Sequence, residues 1–121
     1  MEQNNRPLGW TTLEEAQQLI EAGLSVETAD MHYWLAEGKE YIYTGKCSDP
    51  NGISCWSLGA LTQLLPRTIE NNYDLLINPE FWVMYRHPFS KDVKLICSKS
   101  PFLIENVKDA IIWLLNNKFY E

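Results

Sequence analysis

The sequence predicts an α+β fold, with about three helices packed on an antiparallel sheet of three to five strands in one compact domain. Three observations carry this. Amphipathic helical periods stand near both ends of the chain. Between them lie short runs rich in β-branched and aromatic residues. The later runs are joined by short connections at 78–80 and 87–92, which suit antiparallel neighbours rather than parallel crossovers.

Residues 1–10 are polar and read as a loose N-terminal segment, leaving 11–121 as the α+β domain. The first helix is expected from Thr12 to Ala22. Thr12 and Glu15 form a T-x-x-E capping box, and Leu13, Ala16, Leu19 and Ile20 fall on one face. Gly23 supplies the left-handed stop. The following "LSVETADMHYWLAEG" shows no clear period and stays unassigned. "KEYIYTGK" reads as a strand, with Tyr41 and Tyr43 on one face and Ile42 on the other. Ser48 to Gly52, "SDPNG", is dense in turn formers and reads as a loop.

A second helix follows. With Ser57 as its N-cap, Leu58, Leu61, Leu64 and Leu65 make the buried stripe and Pro66 helps end it. With Ser54 as the cap, Cys55 becomes the first helical residue. Three strands are expected at Tyr73 to Ile77, Phe81 to Arg86 and Val93 to Cys97. "FWVMYR" carries large apolar groups on both faces, as does a central strand covered on both sides, or one covered on one side with a binding face on the other. In the closing helix Ser100 is a candidate cap and Pro101 sits where helices tolerate proline. Ile104, Val107, Ala110, Ile111 and Leu114 form its stripe. Ile112, Trp113 and Leu115 widen the apolar surface, so a homodimer through this C-terminal helix is expected.

The chain has 121 residues, 45% hydrophobic and 21% charged, which suits one packed domain and disfavours disorder. It has no run of about 18 apolar residues, so no membrane partner is expected. The start resembles no secretion signal, and the expected location is cytoplasmic. The net charge of −6 and the scattered basic residues disfavour general nucleic-acid binding. Cys47, Cys55 and Cys97 fit no metal or redox spacing and read as thiols. No cofactor is expected. The notable surplus is aromatic: five Trp, six Tyr and four Phe.

Three constellations carry possible chemistry. Cys55 before a helix, with His87 downstream, would make a nucleophile and base, because helix amides favour thiolate. The commoner reading is a small buried hydrophobe beside Trp56. Asp30 and His32 share strand spacing, with Glu37 and Glu40 nearby, and would begin a metal site, but nothing in the sequence fixes a third or fourth ligand. Trp34, Trp82, Tyr85, Arg86 and His87 combine rings with cations and are the candidates for binding a ligand or partner.

Two resemblances follow from these residues. "SCW" and "LPRT" resemble the papain-like thiol hydrolases, including small bacterial cell-wall peptidases. The glycine-rich lead-in of that family is missing, and Pro88 follows the histidine at once. "TTLEEAQQLIEAGLSVETADMHYW", "CWSLGALTQLLP", "FWVMY" and "ENVKDAIIWLLNNKF" together resemble small uncharacterised proteins of gut Bacteroides-type bacteria and their phages. That resemblance implies a compact stand-alone bacterial or phage protein and transfers no functional residue. The expected function is a non-enzymatic binding module that meets a protein partner or small ligand through an aromatic surface. The alternatives are a thiol hydrolase using Cys55 and His87, and an acidic phage-encoded inhibitor of a host protein.

Overall fold

The computed structural model describes residues 6–47, 52–70, 72–78 and 82–119. It has an α+β architecture with antiparallel sheets, as the sequence predicts. The strands divide into two sheets, however, of three and four strands. The chain forms two compact units, Met1–Ala60 and Leu61–Glu121.

In the first unit, helix α1 (Leu13–Ala22) begins at the expected capping box. The Glu15 amide donates to Thr12 Oγ1 at 3.2 Å, and the Glu15 carboxylate accepts from the Thr12 amide at 2.9 Å. Gly23 closes the helix at φ 109°, where a side chain would be strained. A single 3-10 turn, Val26–Thr28, leads into strand β1 (Met31–Ala36). Strand β2 (Lys39–Thr44) returns antiparallel to β1, and β3 (Gly52–Cys55) pairs with the other edge of β1, giving the order β2-β1-β3.

The segment without a period is therefore a hairpin. Glu37 and Gly38 have φ of 53° and 75°, the pair of positive values that a two-residue I′ turn requires. A glutamate is an unusual choice there, and it hid the turn. Gly52 opens β3, so the reading of 48–52 as loop ends one residue early; 48–51 lie outside the described residues.

One inner face of this sheet carries Tyr33, with Ile42 and Ile53 directly beside it in the register. Helix α1 packs on β3 and buries Ala16 and Leu19. Thr11 is fully buried and ties the layers together. Its N–H donates to the Trp56 carbonyl (2.9 Å) and its Oγ1 accepts from the Trp56 amide (3.2 Å). Its own carbonyl accepts from the Tyr33 hydroxyl at 2.8 Å. The Trp56 indole N–H donates to Thr28 Oγ1 at 2.9 Å.

Helix α2 (Leu58–Gln63) spans the boundary between the units in sequence. Ser57 is its cap, since its Oγ accepts from the Ala60 amide at 3.0 Å. Leu61 and Leu65 are buried, while Leu58 and Leu64 are half-buried.

The second unit contains strands β4 (Thr68–Ile69), β5 (Tyr73–Ile77), β6 (Val83–Arg86) and β7 (Val93–Cys97), paired in that order. Phe81 and the expected connection at 79–80 lie outside the described residues. Strand β6 is internal, and Val83, Met84 and Tyr85 are all buried, as the two-faced pattern requires. The β6–β7 loop closes where the His87 amide donates to the Asp92 carbonyl at 2.9 Å.

Helix α3 (Leu103–Asn116) packs on β6 and β7 and buries all five stripe residues, Ile104, Val107, Ala110, Ile111 and Leu114. Ser100 is not its cap. Ser100 Oγ instead accepts from the Phe102 amide at 2.9 Å, and the helix starts at Leu103. Asn106, fully buried, clamps Ser100 from both sides, accepting from its amide (3.2 Å) and donating to its carbonyl (2.9 Å). The extra apolar residues Ile112, Trp113 and Leu115 are half-buried, and Trp113 stacks on Phe119 at 5.3 Å. Among the described residues no helix is long and apolar enough to cross a membrane.

Two outcomes follow for stability, each measured by urea unfolding. Thr11→Val leaves the buried Trp56 amide without its side-chain acceptor and should cost about 1–3 kcal/mol. Glu37→Asn should stabilise by roughly 0.5–1 kcal/mol, because asparagine tolerates the left-handed conformation better.

Candidate functional site

The register of the first sheet gathers rings on one face. His32 stands opposite Tyr43, and Trp34 stands opposite Tyr41. Alternation along each strand puts all four on the same side, away from Tyr33 and Ile42. On the β3 side the neighbours of His32 and Trp34 are Ser54 and Gly52. His32 and Trp34 are themselves half-buried. Tyr41 and Tyr43 are 43% and 50% exposed, high values for such large side chains. His32 and Tyr43 stack with centroids 5.6 Å apart and planes 27° from parallel. His32, Trp34, Tyr43 and Thr44 line an open hollow of about 430 Å³.

Local bonds hold this face in shape. His32 Nδ1 lies 3.0 Å from the Gly45 carbonyl, which can only accept, so the proton sits on Nδ1. Gly45, at φ 96°, donates its own amide to the Asp30 carbonyl at 2.7 Å and closes the far end of the hairpin.

Asp30 and His32, the metal candidates, are occupied separately. Both Asp30 oxygens take Ser57, the amide at 2.8 Å and the hydroxyl at 2.6 Å. Among the described residues no group of three or more His, Cys, Asp or Glu is placed to hold a metal ion. Asp30 acts as an anchor for the start of α2 instead.

Cys55 ends strand β3 and is fully buried, so the alternative in which it opens the helix does not hold. Burial pushes its thiol up to about 12, and the Asp30 carboxylate acts in the same direction. Such an environment suppresses thiolate, whereas a nucleophile needs it. His87 lies in the second unit, where its Nδ1 accepts from the Phe89 amide at 3.1 Å and its ring meets Tyr73 edge-on.

The other ligand candidates divide. Trp34 belongs to the aromatic face in the first unit. Trp82, Tyr85, Arg86 and His87 belong to the second. Tyr85 is fully buried and its hydroxyl donates to the Pro66 carbonyl at 2.7 Å, so it is a core residue and offers no surface. Arg86, its neighbour on β6, is exposed on the opposite side of the strand. Trp82 and His87 are half-buried. The candidates read from the sequence did not include Tyr41 and Tyr43, although their shared face was legible. What was missing was their partner strand: His32 and Trp34 carry the same alternation within "MHYWLA".

Thiol chemistry gives a direct check. Burial raises Cys97 to about 11 as well, with Asp109 adding to the effect, and Cys47 is half-buried. An alkylating reagent at neutral pH should label Cys47 first and reach Cys55 and Cys97 only on unfolding, as read by mass spectrometry. Unfolded thiols lose protons near their ordinary value of 9.0, before the folded ones do. The unfolded state then binds fewer protons, so stability is intact below about 9 and falls as the pH rises towards 12. No protein-family model, curated protein or solved structure matches this chain.

Proposed function

We propose that this chain is a non-enzymatic binding module that grips a protein partner or small ligand with the aromatic face of β1 and β2. The observation that carries the reading is the set of four rings on one side of a short sheet, with Tyr41 and Tyr43 exposed and His32 and Trp34 half-buried beside them. The same sheet already buries Tyr33 on its other side. Exposed Trp and Tyr clusters are characteristic of interfaces, where broad rigid rings bury much area with little loss of side-chain freedom. The hollow over His32 and Tyr43 supplies concavity, and Thr44, Ser54 and the tyrosine hydroxyls supply polar contacts around it.

A screen of small molecules and peptides by amide chemical shift tests this. Ligands should shift the signals of His32, Trp34, Tyr41 and Tyr43. Trp34→Thr, which keeps strand propensity, should weaken them about tenfold or more without lowering the melting temperature. Ligands that map consistently to other surfaces would sink the reading.

A further inference from the structure

The charge of this chain is unevenly distributed. Residues 1–60 contain three Lys or Arg against nine Asp or Glu, whereas residues 61–121 contain seven of each. The unit that bears the aromatic face therefore carries the entire net charge of −6. It has three cations, of which Lys46 stays largely exposed. Arg6 pairs with Glu15 in a nearly buried contact, and Lys46 pairs with Glu27 at 3.4 Å. Lys39 remains, opposite Ala36 beside the Glu37–Gly38 turn, at the other end of β2 from the hollow.

Aromatic ring faces carry negative potential and attract cations. A rim of such rings on a unit of charge −6 favours a positive ligand on both counts. It disfavours a phosphodiester chain, whose backbone needs a cationic track that this face does not have. Among biological cations, guanidinium is planar, weakly hydrated and stacks flat on rings, which suits an open and shallow face better than a compact ammonium. Side chains on one side of an extended peptide repeat about every 6.6–6.8 Å. Diagonal neighbours across an antiparallel pair lie about 7–8 Å apart. Trp34 and Tyr43 are such a diagonal pair.

We infer that the aromatic face of β1 and β2 receives an arginine-bearing extended segment of a basic partner protein, with guanidinium groups stacked on Tyr43 and Trp34. The inference rests on the binding-face reading above and names its ligand class.

The test is a titration of isotope-labelled protein with three probes: hexa-arginine, hexa-glutamate and uncharged maltohexaose. Hexa-arginine should shift His32, Trp34, Tyr41 and Tyr43, and its binding should weaken as salt rises. Tyr43→Thr should weaken it by about threefold to thirtyfold. Tyr41→Thr serves as a second ring variant if the first melts early. Lys39→Glu should tighten it. Hexa-glutamate should not bind. Hexa-arginine binding that is unchanged in the ring variants overturns the inference, because general acidity would then explain it. Failure of hexa-arginine to shift these residues also overturns it. If maltohexaose shifts them instead, the binding face stands and only the cationic ligand falls. If no probe shifts them and ligands from the screen map elsewhere, both fall.

Discussion

Thr11 is the constraint on which the first unit depends. A buried residue with a polar side chain must satisfy every group it brings inside, because an orphaned donor or acceptor costs about 1–3 kcal/mol. Thr11 does so by meeting Trp56 twice and Tyr33 once. Those three bonds join the segment before α1, the middle strand of the sheet and the end of β3. They also hold Trp56 where its indole reaches Thr28. The chain on both sides is drawn into the same lock: Trp10 bridges Ser57, and the Leu58 amide donates to the Gly9 carbonyl at 2.8 Å.

That lock has a consequence for the outer face of the sheet. Tyr33 points inward, where its hydroxyl donates to the Thr11 carbonyl. In a strand, the residues on either side of it must then point outward. His32 and Trp34 are turned out as a result. The hairpin register turns Tyr43 and Tyr41 out opposite them. The aromatic face is thus the geometric counterpart of a single buried tyrosine and its hydrogen bond.

The same packing decides which chemistry the unit can offer. Placing Cys55 at the buried end of β3, near the Asp30 carboxylate, holds it as a thiol. Asp30 spends both oxygens on Ser57, which in turn caps α2. Polar residues that looked reactive in isolation are structural members of a satisfied network.

Some of this was legible in the residues alone, because it is local. The capping box at Thr12 and Glu15, the stop at Gly23 and the stripe from Ile104 to Leu114 each depend on neighbours within a turn or two, and each stands as read. The antiparallel α+β class was legible for the same reason, while the Ser57 cap and the two-faced burial of β6 each stood as one of two alternatives. Strand β1 was not, because both its faces carry large side chains and its turn uses Glu37 where asparagine is the usual signal. Strand β3 was hidden by glycine and serine, which read as loop. The sequence by itself determined the helices, the capping box of the first, the fold class and the surplus of aromatic residues. Only the tertiary structure decided which rings become neighbours, that Tyr85 and Cys55 belong to the core, and that the strands divide into two sheets. Strand pairing and burial depend on partners far apart in the chain, and no local period records them.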